Sequence, residues 1–323
     1  MTEMLPVVIA DASALPATLR DGTQAAFRFA QRKQAESTTA GYKADFALFA
    51  AWCAGNGLGS LPALPGAVAT YAAIEAERGI RPGTLSRRLA AIRYMHREAG
   101  HESPTDNRHV RDVLAGIRNT LGVAPDRKAP ATADRLGAML ACIPADTLAG
   151  LRDRAMLAVG FAAALRRSEL VALVVGDLEE VPEGLRLTVR RSKTDQAGEG
   201  RTIAIPSGVR LRPMAAVQAW LAAAQITTGP VFRSINKAGR VSTEPLNGRT
   251  VADLVKRYAG AAGFDAAEFS GHSLRAGFVT SAAAAGATVW KMQAVSRHKT
   301  LDVLAGYVRD ADAFKDHAGA AFL

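Results

Sequence analysis

Four polar residues near the C-terminus are of the types that can attack a phosphodiester. His272 and Arg275 are three positions apart, and His298 precedes Tyr307 by nine positions. Arginine donates forked hydrogen bonds that suit phosphate oxygens, and the tyrosine hydroxyl can form a covalent intermediate. A phenol has an ordinary pKa of about 10, so it needs a base or a cationic pocket at neutral pH. The four residues therefore indicate transfer of a phosphoryl group to a protein oxygen.

Two upstream motifs supply further groups for the same chemistry. The segment 165–170, Leu-Arg-Arg-Ser-Glu-Leu, contains Arg166 and, one helical turn later, Glu169. The segment 191–194, Arg-Ser-Lys-Thr, contains Lys193, which could give a proton to a leaving oxygen. Alone, each motif is typical of a surface helix or a solvated hairpin. The order of all the motifs along the chain carries the functional interpretation.

The composition indicates a globular protein with a polyanionic partner. The chain has 323 residues, of which 49% are hydrophobic and 22% are charged, so two domains with ordinary cores are expected. Lys and Arg number 40 against 30 acidic residues, a formal net charge of +10. Such an excess favours nucleic acid as a partner.

Three local features of the sequence argue against secretion, a membrane-spanning segment and a cysteine metal site. The N-terminus lacks the basic start of a secretion signal, and the apolar run at 156–165 is too short to cross a bilayer. Cys53 and Cys142 show no metal-ligand spacing and are expected to be buried free thiols. We expect a cytoplasmic protein.

Glycines and prolines divide the chain into candidate domains. Residues 1–20 are expected to form a flexible arm, 21–121 a helical domain, 122–131 a linker and 132–323 a second domain. Two alternating segments, 185–190 and 201–206, predict an antiparallel hairpin. The predicted fold is mainly α, with a small antiparallel sheet.

One helix of the first domain can be predicted in detail. In the segment 84–99, Leu85, Leu89, Ile92 and His96 follow the helical spacing of a buried face. Arg87 projects from the other side, where a basic face could lie against a DNA groove or simply be solvated. We select Lys43 and Arg87 as candidate DNA-binding residues.

The motifs together resemble those of the tyrosine recombinases, the phage integrase family. The segments 165–170 and 270–275 resemble the two arginine boxes of that family. The N-terminal half resembles the core-binding domain of Cre-like members at 50–53 and 89–100, so the resemblance covers nearly the whole chain. It implies a two-domain clamp around DNA, in which 21–121 is the DNA-binding domain and 132–323 is the tyrosine recombinase catalytic domain.

The resemblance also implies a role for each catalytic residue. Arg166, Arg275 and His298 would bind the scissile phosphate, and Glu169 would orient a histidine or an arginine. Tyr307 would be the nucleophile that forms a 3′-phosphotyrosine.

Two further residues would take part in proton transfer. His272 would accept the proton of Tyr307 or donate a hydrogen bond to the phosphate, and Lys193 would protonate the leaving 5′-oxygen.

Some of these assignments have alternatives. Arg167 could take the role of Arg166, and Arg190 or Arg191 could take that of Lys193. The position of each residue within its motif favours Arg166 and Lys193. Ser296-Arg297 stand where Leu-Gly is typical.

The implied function is site-specific DNA recombination through a Holliday junction. The implied partners are double-stranded DNA with inverted half-sites and three further copies of the chain in a homotetramer. No cofactor, metal, membrane or small-molecule substrate is implied. The alternatives are a DNA-binding accessory protein with a vestigial site, a type IB topoisomerase, or a telomere resolvase.

Overall fold

The chain divides into two compact units, Met1–Asp126 and Arg127–Leu323. The computed structural model describes residues 36–123, 128–190 and 200–311, together with Gly22, Ala25 and Phe29. The predicted arm at 1–20 and the hairpin connection that contains Lys193 lie outside the described residues. Helices dominate both units, and small antiparallel sheets occur in the second, which confirms the predicted fold class.

The first unit is a small helical bundle. Between residues 36 and 123 it contains α1 (Glu36–Gly55), α2 (Pro65–Glu77), α3 (Pro82–Glu98) and α4 (Arg108–Leu121), with a 3₁₀ turn at Pro104–Asp106. Proline at the first turn begins α2 and α3, where its missing N–H costs nothing. Helix α1 packs on α3 and α2 packs on α4, around a core that includes Phe49, Tyr71 and Ile92.

Helix α3 buries the face that its spacing predicts. Leu85, Leu89, Ile92 and His96 are all buried. The imidazole of His96 has both nitrogens engaged, because Nε2 accepts from the Ala63 N–H at 2.9 Å and Nδ1 contacts the Ile92 carbonyl at 2.8 Å. Burial lowers the pKa of His96, so this histidine is a neutral part of the core.

The second unit is built from helices and two small sheets. Its described helices are α5 (Ala133–Ala141), α6 (Leu148–Ala162), α7 (Arg167–Val171), α8 (Pro213–Ala223), α9 (Gly248–Ala261), α10 (Ser273–Ala284), α11 (Val289–Ser296) and α12 (Leu301–Ala311). Its described strands are β1 (Leu178–Val181), β2 (Gly184–Val189), β3 (Arg201–Pro206), β4 (Arg233–Ile235) and β5 (Val241–Pro245). Helix α6 is almost wholly buried and packs against α8 and α10.

The predicted hairpin is present as β2 and β3. The two strands pair antiparallel, with Leu185 opposite Ile205 and Leu187 opposite Ile203. These four side chains are buried and alternate with exposed positions, as the sequence pattern requires. Strand β1 and the β4–β5 pair were not predicted, because strands of three to five residues are too short to show a clear alternation.

The two cysteines differ in exposure. Cys53 is buried, as predicted, but Cys142 is exposed, so the prediction of two buried thiols was wrong for Cys142. Cys142 is the residue after α5, at the end of the helix, where its side chain no longer faces the core. None of the helices in the described part of the chain is long and apolar enough to span a membrane.

The backbone of the residues just before α5 packs closely against the start of α10 and the residues that precede it. The N–H groups of Ala129 and Ala131 donate to the carbonyls of Glu268 and Ser273 at 2.8 and 2.9 Å, which attaches the end of the segment predicted as a linker to the second unit. Gly277 of α10 permits this approach, since a Cβ there would lie 1.9 Å from the Ala131 carbonyl oxygen.

We predict that Gly277→Ala destabilises the protein by about 1–3 kcal/mol, the usual cost of overpacking. The added methyl group meets backbone, which cannot move aside as a flexible side chain can. Urea unfolding measures the change. The control is Gly260→Ala in α9, where the new Cβ would meet only Ala266 Cβ at 3.9 Å. Equal stability of the two variants would contradict the prediction.

Candidate active site

The turn that follows α6 presents two carbonyl oxygens to arginine side chains. Ala164 adopts a left-handed conformation with φ of 46° and ends the helix. Its carbonyl accepts from Arg275 Nη1 at 2.7 Å, and the carbonyl of Ala163 accepts from Arg297 Nη1 at 3.2 Å. Side chains from two distant parts of the chain are thereby fixed beside the start of α7.

The carboxylate of Glu169 lies at the centre of the site. Its Oε1 accepts from Arg166 Nη1 at 2.6 Å, while its Oε2 accepts from the Arg166 N–H at 2.9 Å and from Arg297 Nη2 at 2.8 Å. The N–H of Arg166 belongs to the residue just before α7, so the contact also caps that helix. Burial acts to raise the pKa of Glu169, but these donors outweigh it and the pKa is lowered.

Arg275 is a buried cation with one edge of its guanidinium group, at Nη2, unpaired among the described residues (its free edge). Only 1% of the residue is exposed, and its Nη2 has no hydrogen-bond acceptor among the described residues. Burial, followed by repulsion from Arg166 and Arg297, lowers its pKa to about 9, which leaves the guanidinium charged at neutral pH. An uncompensated buried donor of this kind is costly to stability and suits an anion that arrives from outside.

The two predicted histidines are neutral at physiological pH. Desolvation, followed by repulsion from Arg275 and Arg166, lowers the pKa of His272 and lowers that of His298 to about 4. The Nδ1 of His298 lies 2.8 Å from the hydroxyl of buried Ser296, which fixes the ring. A neutral imidazole has one nitrogen that accepts and one that donates, so each ring can serve as a base or as a donor to phosphate.

Tyr307 lies on α12, half-buried against a small cluster that contains Val279, Met292 and Leu304. The tyrosine also lies within the electrostatic reach of the site, because negative charge on its oxygen acts to raise the pKa of Arg275. The ring is therefore packed on one side against this cluster, and its oxygen is within electrostatic range of Arg275.

The structure brings six of the seven predicted catalytic residues together. They are Arg166, Glu169, His272, Arg275, His298 and Tyr307. The seventh, Lys193, lies outside the described residues. Of the alternative residues, Arg167 is exposed and its side chain lies near Gly248 and Gly271. Arg190 donates to Asp177 at 2.5 Å, and Arg191 lies outside the described residues.

Arg297 is a member of the cluster that the sequence did not assign. It is 7% exposed and forms an ion pair with Glu169. The available signal was an arginine at a position where glycine is typical of the family, just before His298. That difference alone does not define the local backbone at 296–297. The direction of the Arg297 side chain depends on contacts with residues far away in the sequence, so the sequence did not reveal it.

The two candidate DNA-binding residues lie on neighbouring helices of the first unit. Lys43 is exposed on α1. Arg87 is exposed on α3, but its guanidinium forms a two-pronged ion pair with buried Asp45, at 2.6 and 2.9 Å. Arg87 would have to exchange part of this pair to contact a base edge. No group of three or more His, Cys, Asp or Glu residues suited to a metal occurs in the described ranges.

Comparisons with known proteins identify the family of this chain. Residues 132–313 match the model of the phage integrase family. The chain is 36% identical over 293 residues to an integrase/recombinase xerD homolog of Selenomonas ruminantium, covering 89% of this chain and 86% of that protein. It is 31% identical over 281 residues to tyrosine recombinase XerD of Xanthomonas axonopodis pv. citri (strain 306), covering 84% and 87%. These matches define an enzyme of the tyrosine recombinase class. The chain belongs to the phage integrase family.

Solved structures share the fold at lower sequence identity. The XerH site-specific recombinase in a post-cleavage complex with palindromic difH substrate has a TM-score of 0.60 and 15% identity, over 77% of this chain and 70% of that chain. A lambda integrase dimer bound to a COC′ core site has a TM-score of 0.58 and 17% identity, over 89% and 76%.

We predict that His298→Gln reduces the loss of stability on acidification. The pKa of His298 is about 4 when folded against an ordinary 6.5, so between these values the unfolded chain binds a proton that the folded site excludes. Stability therefore falls as pH drops from about 6.5 toward 4. Urea unfolding of the DNA-free protein near pH 7 and pH 5 should show a loss about 1–2 kcal/mol smaller for the variant.

His101→Gln, at an exposed position of the first unit, is the control for removal of an imidazole. An unchanged loss of stability in His298→Gln would show that His298 does not have the lowered pKa.

Proposed function

We propose that this protein is a site-specific DNA recombinase that cleaves and rejoins strands through a 3′-phosphotyrosine on Tyr307. In this proposal it acts on double-stranded DNA with inverted half-sites. Four protomers on two sites exchange strands through a Holliday junction in the cytoplasm. The excess of basic residues and the XerD names of the relatives support DNA as the substrate.

The free edge of Arg275 is the observation that carries the proposal. The guanidinium groups of Arg166 and Arg297 contact the carboxylate of Glu169, and that of Arg275 lies within its electrostatic range. The cluster therefore retains positive charge that no described side chain neutralises. A phosphodiester supplies one negative charge and its pentacoordinate transition state supplies more, so the site binds the transition state better than the ground state.

Cleavage needs a proton acceptor for the tyrosine. The Oη of Tyr307 attacks the phosphorus, and its proton passes to the neutral imidazole of His272. Arg166, Arg275 and His298 donate to the non-bridging oxygens as charge builds on them. A single preorganised donor in such a position contributes roughly 10²–10³-fold to the rate.

The leaving oxygen needs a proton donor. As the P–O5′ bond breaks, Lys193 protonates the 5′-oxygen, and the products are a 3′-phosphotyrosine and a free 5′-hydroxyl. No water takes part, so the energy of the phosphoester is kept. A 5′-hydroxyl from another strand can then attack the phosphotyrosine by the reverse path, which joins the strands and restores the phenol.

We expect the wild-type protein to form a covalent adduct with nicked DNA and Tyr307→Phe to form none. The probe is a pool of nicked duplexes of random sequence. Cleavage near the nick releases a short fragment with the free 5′-hydroxyl, and its loss by diffusion traps the covalent intermediate. Adducts are detected by denaturing gel electrophoresis, and sequencing of the trapped DNA identifies the site.

Tyr258→Phe is the matched control for loss of a hydroxyl in the same unit. It removes a hydrogen bond to Asp153 and should still form the adduct. An adduct with Tyr307→Phe would exclude Tyr307 as the nucleophile. DNA binding without any wild-type adduct would favour an accessory protein, and relaxation of supercoiled DNA without a preferred site would favour a topoisomerase.

The role of Lys193 is tested by changing the leaving atom. We expect Lys193→Ala to slow cleavage by about 10²–10⁴-fold, the usual contribution of a general acid. A duplex with sulfur in place of the bridging 5′-oxygen should restore the rate, because a thiolate leaves without a proton. Arg190→Ala should gain no such advantage from sulfur. Failure of the sulfur substrate to rescue Lys193→Ala would assign the acid to another residue.

A further inference from the structure

We infer that Arg297 is a positioning residue of this active site, which acts through Glu169 on Arg166. The inference rests on the proposed function and deepens it. It concerns a residue at which this chain departs from the family pattern.

The backbone of Arg297 is in a conformation that favours glycine. Its φ and ψ are 56° and 41°, in the left-handed region directly after α11. Glycine would adopt this shape without strain, yet the chain has a long charged side chain here, and that side chain is buried. A buried arginine in a strained position requires compensating contacts.

The contacts of Arg297 connect three parts of the site. Its Nη2 donates to Glu169 Oε2 at 2.8 Å, and its Nη1 donates to the carbonyls of Ala163 and Val295 at 3.2 and 2.7 Å. These acceptors lie at the beginning of α7, at the end of α6 and in α11. The residue that immediately precedes His298 is thus tied to the turn that also holds Arg275.

The shared carboxylate explains how Arg297 affects Arg166. With Arg297 in place, Oε2 of Glu169 receives one donor from Arg297 and one from the Arg166 backbone, and only Oε1 receives the Arg166 side chain. Without Arg297, both carboxylate oxygens become available to the fork of Arg166, a geometry that guanidinium groups favour. Arg166 would then be neutralised more completely and directed less toward phosphate.

The test is a double-mutant cycle of wild type, Arg297→Gly, Glu169→Gln and the double variant. Glycine is chosen because it fits the left-handed backbone. The rate of a single cleavage turnover is measured at saturating protein, on the duplex recovered from the adduct pool. Each single variant should be about 10- to 100-fold slower, as expected for loss of a hydrogen bond to a charged group. DNA affinity should change little, because many phosphate contacts determine it.

If Arg297 acts through Glu169, the double variant will be no slower than the slower single variant. Multiplication of the two effects would overturn the inference. Arg297→Lys keeps the charge but loses the fork, so it should recover only part of the rate. Full activity of Arg297→Gly would also overturn the inference and leave the recombinase function intact.

Arg152→Ala is the matched control for loss of a buried arginine. Arg152 is 8% exposed and pairs with Asp153, about 16 Å along α6 from Ala163. This variant should melt at a lower temperature and yet cleave at the wild-type rate while folded. If it slows cleavage as much as Arg297→Gly does, the effect of Arg297 is general stability and the inference fails.

Thermal unfolding of the same four proteins separates this inference from the proposed function. If the wild type forms no adduct, the recombinase function fails, and the unfolding cycle still measures whether Arg297 and Glu169 act as a pair. Coupled shifts in melting temperature would support the positioning contact, and independent shifts would overturn it.

Discussion

The proposed active site depends on one buried carboxylate, that of Glu169, which is too little negative charge to neutralise the arginines around it. Glu169 receives donors from Arg166 and Arg297. Among the described residues, Arg275 donates only to a neutral carbonyl, and its Nη2 has no acceptor. Burying cations in this way costs stability unless each is paired. The cluster is therefore incomplete without an anion, and a phosphodiester has the charge and the oxygen atoms that complete it.

The fold supports this arrangement by bringing helix ends together. The turn after α6 supplies carbonyl oxygens, and the first turn of α7 supplies Glu169. Arg275 lies on α10, and Arg297 directly follows α11. Helix ends have backbone groups that are not used within the helix, so they can hold charged side chains without disturbing the regular structure. The rigidity of the site follows from α6, which lies within the main core.

The local parts of this structure could be predicted from the sequence, and the non-local parts could not. The stripe of α3 and the β2–β3 hairpin each have a period that selects one buried face. The order of the site motifs was visible because each motif is short and contiguous. Strand β1 and the β4–β5 pair are too short to show a period in the sequence. The side chain of Arg297 pairs with Glu169, which lies 128 residues earlier in the chain, so local sequence could not predict this contact.

The cluster under Tyr307 has a consequence for motion of this proposed nucleophile. Among the described residues, that cluster has only Val279, Ala283, Met292 and Leu304 as fully buried members, apart from the larger core beneath α6. A helix attached through so few buried side chains opens locally at a smaller free-energy cost than the body of its domain. Amide hydrogens of α12 will therefore exchange with solvent faster than those of α6, and Tyr307 can move relative to the arginine cluster while the body of the domain stays folded.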